Sequence, residues 1–172
     1  MIIRTALESD LPAIVEIYNS TVPSRMVTAD TEPVSVESRK AWFYKHSPAK
    51  YPLWVAEIDG YIAGWLSFQA FREKPAYNIT AELSIYISEV YRRKGIGRNL
   101  LKRAVEYSPA LGLHNLLGFI FAHNTPSLEL FKNMGFEQLG RLPGVTVMDG
   151  TPRDVVIMGL QLANGLDAGG KS

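Results

Sequence analysis

The run Tyr91-Arg92-Arg93-Lys94-Gly95-Ile96-Gly97-Arg98-Asn99-Leu100-Leu101 constrains the fold of this chain more than any other stretch. An apolar, strand-like segment, residues 83–87, precedes it. An apolar-periodic helix follows, with Ile96, Leu100, Leu101, Ala104 and Val105 on one face. The first turn of a helix leaves backbone N–H groups unpaired, and the helix dipole adds positive potential there. Gly95 and Gly97 have no Cβ, so the main chain can bend sharply and come close to an anion. Arg92, Arg93, Lys94 and Arg98 gather positive charge around the same turn. The arrangement suits a pyrophosphate; the motif alone leaves open a solvated basic surface turn. A P-loop would end in Gly-Lys-Ser/Thr and a dinucleotide fingerprint would carry a third glycine, and the run has neither. It points to a phosphate-bearing cofactor outside those two classes.

The 172 residues fit one domain, expected over residues 1–163, with residues 164–172 read as a flexible tail. A formal net charge of +1, with the basic residues concentrated at one turn, argues against a nucleic-acid surface. There is no cysteine, hence no disulfide framework and no thiolate nucleophile. His46, His114 and His123 show no metal-ligand spacing, so no metal is expected. The start lacks a signal peptide's apolar region and no run is long enough to span a membrane, which makes a cytoplasmic protein the simplest expectation.

Hydrophobic periodicity and turn chemistry order the rest of the chain. Residues 2–7 read as a strand, followed by a helix capped at Ser9 or Asp10 with Leu11, Ile14, Val15 and Tyr18 on one face. Residues 19–33 read as a pocket-shaping loop, and Ser35 can cap a second helix through Ala41, Trp42 and Tyr44. A hairpin turns at Asp59-Gly60 between strands 53–58 and 61–71. A basic, aromatic connection, residues 72–78, leads to a strand at 81–87. The helix after the glycine turn runs to about Tyr107, and residues 116–121 form a central strand. A short helix starts at Asn124-Thr125-Pro126-Ser127, with Gly135 as its C-terminal cap. Two last strands, 136–141 and 154–162, flank a Gly/Pro-rich loop. The predicted class is α/β (α+β): a mixed, largely antiparallel sheet with helices on both faces.

This order, together with Arg92-Arg93-Lys94-Gly95-Ile96-Gly97, resembles the GNAT superfamily of acetyl-CoA-dependent N-acetyltransferases, whose Q/R-x-x-G-x-G/A turn binds the coenzyme pyrophosphate. The block from Asn124 and Ser127 through Phe131 to Gly135-Phe136 resembles a second motif of that family, in which the asparagine contacts the pantetheine arm. Ile17-Tyr18-Asn19, Glu32-Pro33-Val34, Arg39-Lys40-Ala41-Trp42-Phe43, Tyr51-Pro52-Leu53 and Ala81-Glu82-Leu83-Ser84-Ile85-Tyr86-Ile87 are similar to the phosphinothricin and methionine sulfone/sulfoximine acetyltransferase branch. That resemblance implies transfer of acetyl to the α-amine of a small amino acid or analogue, and a homodimer.

The chemistry such an enzyme needs assigns expected roles. Attack on a thioester requires a neutral amine, and Glu82 is the candidate base. The resemblance places an oxyanion-stabilising N–H, and strand-like pairing to pantetheine, in the main chain of Ser84, Ile85, Tyr86 and Ile87. Arg92, Arg93, Lys94, Gly95, Ile96, Gly97, Arg98, Asn124 and Ser127 complete the expected cofactor site. Arg72 and Lys74 are the candidate cations for an acceptor carboxylate, phosphinate or sulfone oxygen, with Tyr77 and Phe71 as pocket walls and Leu83 beside the base. Two positions depart from the resembled pattern. Phe131 stands where many relatives have a proton-donating tyrosine, and Leu83 stands where the branch often has histidine. His123 is an alternative proton donor. A protein N-terminus or polyamine as acceptor, and a non-catalytic acyl-CoA sensor, remain as competing readings.

Overall fold

The computed structural model describes residues 1–163; the expected tail at 164–172 lies outside them. Seven strands form one sheet in the order β1-β2-β3-β4-β5-β7-β6. They are β1 (Ile2–Thr5), β2 (Leu53–Ile58), β3 (Tyr61–Ala70), β4 (Thr80–Ile87), β5 (Asn115–Phe121), β6 (Glu137–Met148) and β7 (Thr151–Gln161). Every neighbouring pair is antiparallel except β4 with β5. The helices are α1 (Leu11–Thr21), α2 (Val36–Tyr44), α3 (Ile96–Tyr107) and α4 (Thr125–Asn133).

The period-two alternation of the strands sends side chains to two separate cores. On one face Leu66, Phe68, Ala81 and Leu83 pack with Ile96, Leu100, Leu101 and Ala104 of α3 and with Phe131 of α4. On the other, Val55 and Trp65 pack with Ile14 and Ile17 of α1, and Tyr18, Trp42 and Tyr86 close over them. The predicted mixed sheet with helices on both faces is therefore the observed architecture.

Local chemistry explains the agreements and the differences. Ser35 is extended and its side chain accepts from the Ser38 amide at 3.1 Å, a proper N-cap for α2. Asp59 and Gly60 both take positive φ (50° and 82°), the backbone that a tight hairpin turn requires. The start of α1 differs from expectation: neither Ser9 nor Asp10 caps it with its side chain. A 3-10 turn, Glu8–Asp10, leads in, and the Asp10 carboxylate instead takes Arg4 at 2.7 Å and the Leu7 amide at 2.7 Å. Helical structure also continues beyond the expected loop start at residue 19, through Thr21 and a further turn to Ser24. The expected Gly/Pro-rich loop is mostly strand. β6 and β7 pair to the Asp149-Gly150 turn, and a register shift between Leu142 and Thr146 absorbs Pro143 and Gly144 on the edge strand.

Candidate functional site

β4 and β5 pair over only Thr80–Asn115, Ala81–Leu116 and Glu82–Leu117, and then part. On its other side β4 remains bonded to β3 as far as Ile87. From Leu83 onward, the main-chain groups of β4 that point away from β3 have no partner on β5 among the described residues. Unpaired amides and carbonyls in that gap can take an extended chain as if it were another strand. Gly118 of β5 lets α4 approach the sheet here: a Cβ at Gly118 would lie 2.6 Å from Cε1 of Phe131.

The glycine turn lies at the open end of β4. Arg93 and Gly95 both take left-handed backbone, φ 61° and 76°, and Gly95 forms the N-terminus of α3 with no side chain capping it. Asn99 is the first amide to find a helical carbonyl, that of Gly95, at 3.0 Å. The preceding amides of the first turn remain available to an anion. Arg92, Arg93, Lys94 and Arg98 are exposed, and none forms an ion pair among the described residues. A Cβ on Gly97 would lie 3.2 Å from Leu130 of α4, so glycine there keeps the two helices close. Open amides, close backbone and unpaired cations fit a pyrophosphate.

Asn124 is buried at the start of α4, and its Oδ1 accepts from the Ser127 amide at 3.3 Å. Its Nδ2 has no hydrogen bond among the described residues, which leaves a donor for a ligand amide. Phe131 is buried, edge-on to Phe136 at 4.9 Å, and supplies no proton. His123 is engaged elsewhere: its Nε2 donates to the Arg25 carbonyl at 2.8 Å.

A cavity of about 190 Å³ opens on the α1/α2 face of the same strands. Trp65, Ser67 and Gln69 of β3 and Ser84 and Tyr86 of β4 form its floor, while Ile14, Tyr18, Val34, Arg39 and Trp42 line the remainder. Glu82 lies one rung beyond Ser84 on this face, opposite Gln69. Burial pushes the Glu82 carboxyl above its ordinary pKa, and a hydrogen bond from Gln69 opposes that in part. At the other end Tyr86 stacks on Trp65 at 4.5 Å and meets Tyr18 at 5.1 Å. Burial raises the Tyr86 pKa, so its hydroxyl stays neutral. Arg39 lies over the Tyr18 ring at 4.8 Å and bonds Asp30 at 3.2 Å. Asp30 and Thr28 in turn bond the Tyr18 hydroxyl.

The structure brings Glu82, the β4 main chain, the glycine turn and Asn124 around one gap. It does not bring Leu83 to that cavity; the side chain is buried on the α3 face. Ile85 and Ile87 also turn their side chains to that core, so only their main chain borders the gap. Arg72, Lys74 and Tyr77 lie in the exposed β3–β4 connection, outside the cavity lining. There the Arg72 guanidinium sits 5.4 Å from the Phe71 ring, which meets Tyr77 at 5.8 Å and Phe119 at 6.3 Å. Arg39, Tyr18, Trp42 and Trp65 are among the cavity residues to which no role fell from sequence. The helical period that put Tyr18 on one face with Leu11, Ile14 and Val15 was the available signal.

Residues 3–157 match the family described as Acetyltransferase (GNAT) domain. Over 164 residues the chain is 51% identical to YwnH of Bacillus subtilis (strain 168), provisionally named a phosphinothricin acetyltransferase, covering 95% of this chain and 100% of that protein. It is 33% identical to the L-methionine sulfoximine/L-methionine sulfone acetyltransferase of Salmonella typhimurium (strain LT2), covering 94% and 95%. The crystal structure of a phosphinothricin acetyltransferase from Sinorhizobium meliloti in complex with acetyl-CoA superposes with a TM-score of 0.89 at 32% identity, covering 95% of this chain and 89% of that one.

Proposed function

The chain belongs to the GNAT acetyltransferase family, and from that premise we propose that its acceptor is the α-amine of a small amino acid or analogue of the phosphinothricin, methionine sulfone or methionine sulfoximine kind. The protein is an N-acetyltransferase with acetyl-CoA as donor. The observation that carries the acceptor reading is the position of Glu82. Its half-buried carboxyl stands where the β4–β5 gap begins and on the face that carries the cavity. Residues 1–163 act as one catalytic domain in this reading.

Acetyl-CoA, when bound, supplies the acetyl thioester. Glu82 accepts a proton from the acceptor ammonium, directly or through one water, and its raised pKa makes it a stronger base. Main-chain N–H groups between Ser84 and Ile87 donate to the thioester oxygen. The amides of Gly95, Ile96, Gly97 and Arg98 hold the pyrophosphate, helped by Arg92, Arg93 and Lys94, and Asn124 and Ser127 border the pantetheine arm. Arg72, two residues past the end of β3, binds the α-carboxylate near Glu82, with Lys74 and Tyr77 beside it.

The edge strand β6 exposes Leu139, Leu142, Val145 and Val147, and such an apolar edge favours a homodimer. Light scattering of the purified protein would show a dimer, and of Val147→Asp a monomer. No helix of the described residues is long and apolar enough to cross a membrane, and dependence on acetyl-CoA supports a cytoplasmic enzyme. The acceptor reading is tested by coenzyme release with acetyl-CoA against phosphinothricin, methionine sulfone, methionine sulfoximine, ordinary amino acids, polyamines and N-terminal peptides. Selective turnover of the analogues supports it; selective turnover of peptides or polyamines overturns it.

A further inference from the structure

Arg39 lines the cavity, and Glu82 stands one rung beyond its lining, next to Gln69 and Ser84 on the same face of the sheet. Three rungs of β3 and β4 lie on that face of the sheet: Gln69 with Glu82, Ser67 with Ser84, and Trp65 with Tyr86. Glu82 and Tyr86 are four residues apart on an extended strand, a span of roughly 13 Å. Arg39 belongs to the Tyr86 end, because it lies over Tyr18 and Tyr18 meets Tyr86. In any α-amino acid the α-carboxyl carbon is only two bonds, each about 1.5 Å, from the α-nitrogen. An amine held at Glu82 therefore keeps its own carboxylate at the Glu82 end, while Arg39 belongs to the Tyr86 end. What reaches Arg39 is the far end of the acceptor's side chain.

We propose that Arg39 recognises oxygen atoms at the distal end of the acceptor side chain, so that the enzyme selects α-amino acids ending in an oxygen-bearing group such as a sulfone, sulfoximine or phosphinate. The inference rests on the α-amino acid reading above and assigns a residue and a selectivity to it. Arg39 is the charged residue among those lining the cavity. Its one hydrogen bond among the described residues is from Nη2 to Asp30, so most of its fork of donors is free. The bond to Asp30 and the Tyr18 face below hold the guanidinium in place before any acceptor enters. Between the two ends, Trp42, Trp65 and Ile14 offer apolar walls to methylenes. A side chain ending in methyl or thioether fills the same walls but leaves the guanidinium donors unpaired. Leaving such groups unmatched discriminates more strongly than a missing methylene does.

Methionine sulfone and methionine share a skeleton and differ in two distal oxygens, so their kcat/KM ratio isolates the effect. The wild-type enzyme is expected to prefer the sulfone. Arg39→Met should lower kcat/KM for the sulfone about tenfold or more while changing that for methionine less than about threefold. Arg39→Lys, which keeps the charge and loses the fork, should give an intermediate preference and serves if the methionine variant folds poorly. Acetyl-CoA affinity and melting temperature should be unchanged in the variant that is assayed. A wild type without preference, or a variant that loses both acceptors equally, overturns the role of Arg39 and leaves the α-amino acid reading in place. A wild type that binds acetyl-CoA yet acetylates neither acceptor nor any other α-amino acid removes that reading and this inference with it.

Discussion

Gln69 and Glu82 stand opposite each other across β3 and β4, and the Gln69 side chain partly offsets the rise that burial imposes on the Glu82 carboxyl. That pair sits at the last rung before β4 loses its partner β5. A carboxyl in such a place is costly to charge, which is poor for stability and useful for a base.

Glu82→Gln should lower kcat/KM by about 10² to 10⁴ while acetyl-CoA binding survives. Because the folded pKa of Glu82 is raised, the stability linked to it is present below the unfolded pKa and is lost as pH rises through the folded value. The Gln variant should accordingly melt no lower than wild type at neutral pH. Wild-type kcat/KM should rise with pH as Glu82 ionises. Stopped rates across pH, with melting curves alongside, check both.

Gly95→Ala should weaken acetyl-CoA binding more than it harms the fold. An added Cβ meets nothing within 4 Å, so the cost to the free protein is the left-handed backbone at φ 76°, about 1 kcal/mol. The bound pyrophosphate would approach that same surface. Calorimetric titration should give a raised Kd with a melting temperature only slightly lowered.

His46 should make the fold sensitive to mild acid. Its Nδ1 donates to the Trp42 carbonyl at 2.9 Å, and its Nε2 is buried with no partner among the described residues. Burial lowers its pKa, so the neutral ring supports the fold above the ordinary value of about 6.5, and that support is lost as pH falls toward the folded value. His46→Phe should flatten the fall in melting temperature between neutral and mildly acid pH. An unchanged slope would assign the acid sensitivity to other groups.

The order of elements along the chain, the glycine turn and the α4 start were legible because each rests on local chemistry. Apolar alternation, two glycines in a basic run and an Asn-x-x-Ser start all speak within a few residues. Contacts between distant segments were silent. Arg25 pairs with Asp149 at 2.7 Å across 124 residues, and His123 bonds the Arg25 carbonyl, so three separate turns lock together without any sequence signal. The cavity escaped for the same reason: Arg39, Asp30 and Tyr18 meet only once α1, α2 and the chain between them fold over β3 and β4. Asp10 misled because an acidic residue at a helix start caps by default, and here Arg4 claimed its carboxylate first. The Gly/Pro-rich stretch misled because an edge strand tolerates a proline and a bulge that a central strand would not.

The most direct test of the account is to incubate the purified protein with acetyl-CoA and methionine sulfone, follow coenzyme release, and locate the acetyl group by mass spectrometry. The account predicts a singly acetylated product modified on the α-nitrogen, formed in step with coenzyme release and lost in Glu82→Gln. Acetyl-CoA bound but no acetylation of this or any other α-amino acid, with turnover of a peptide or polyamine instead, would contradict it.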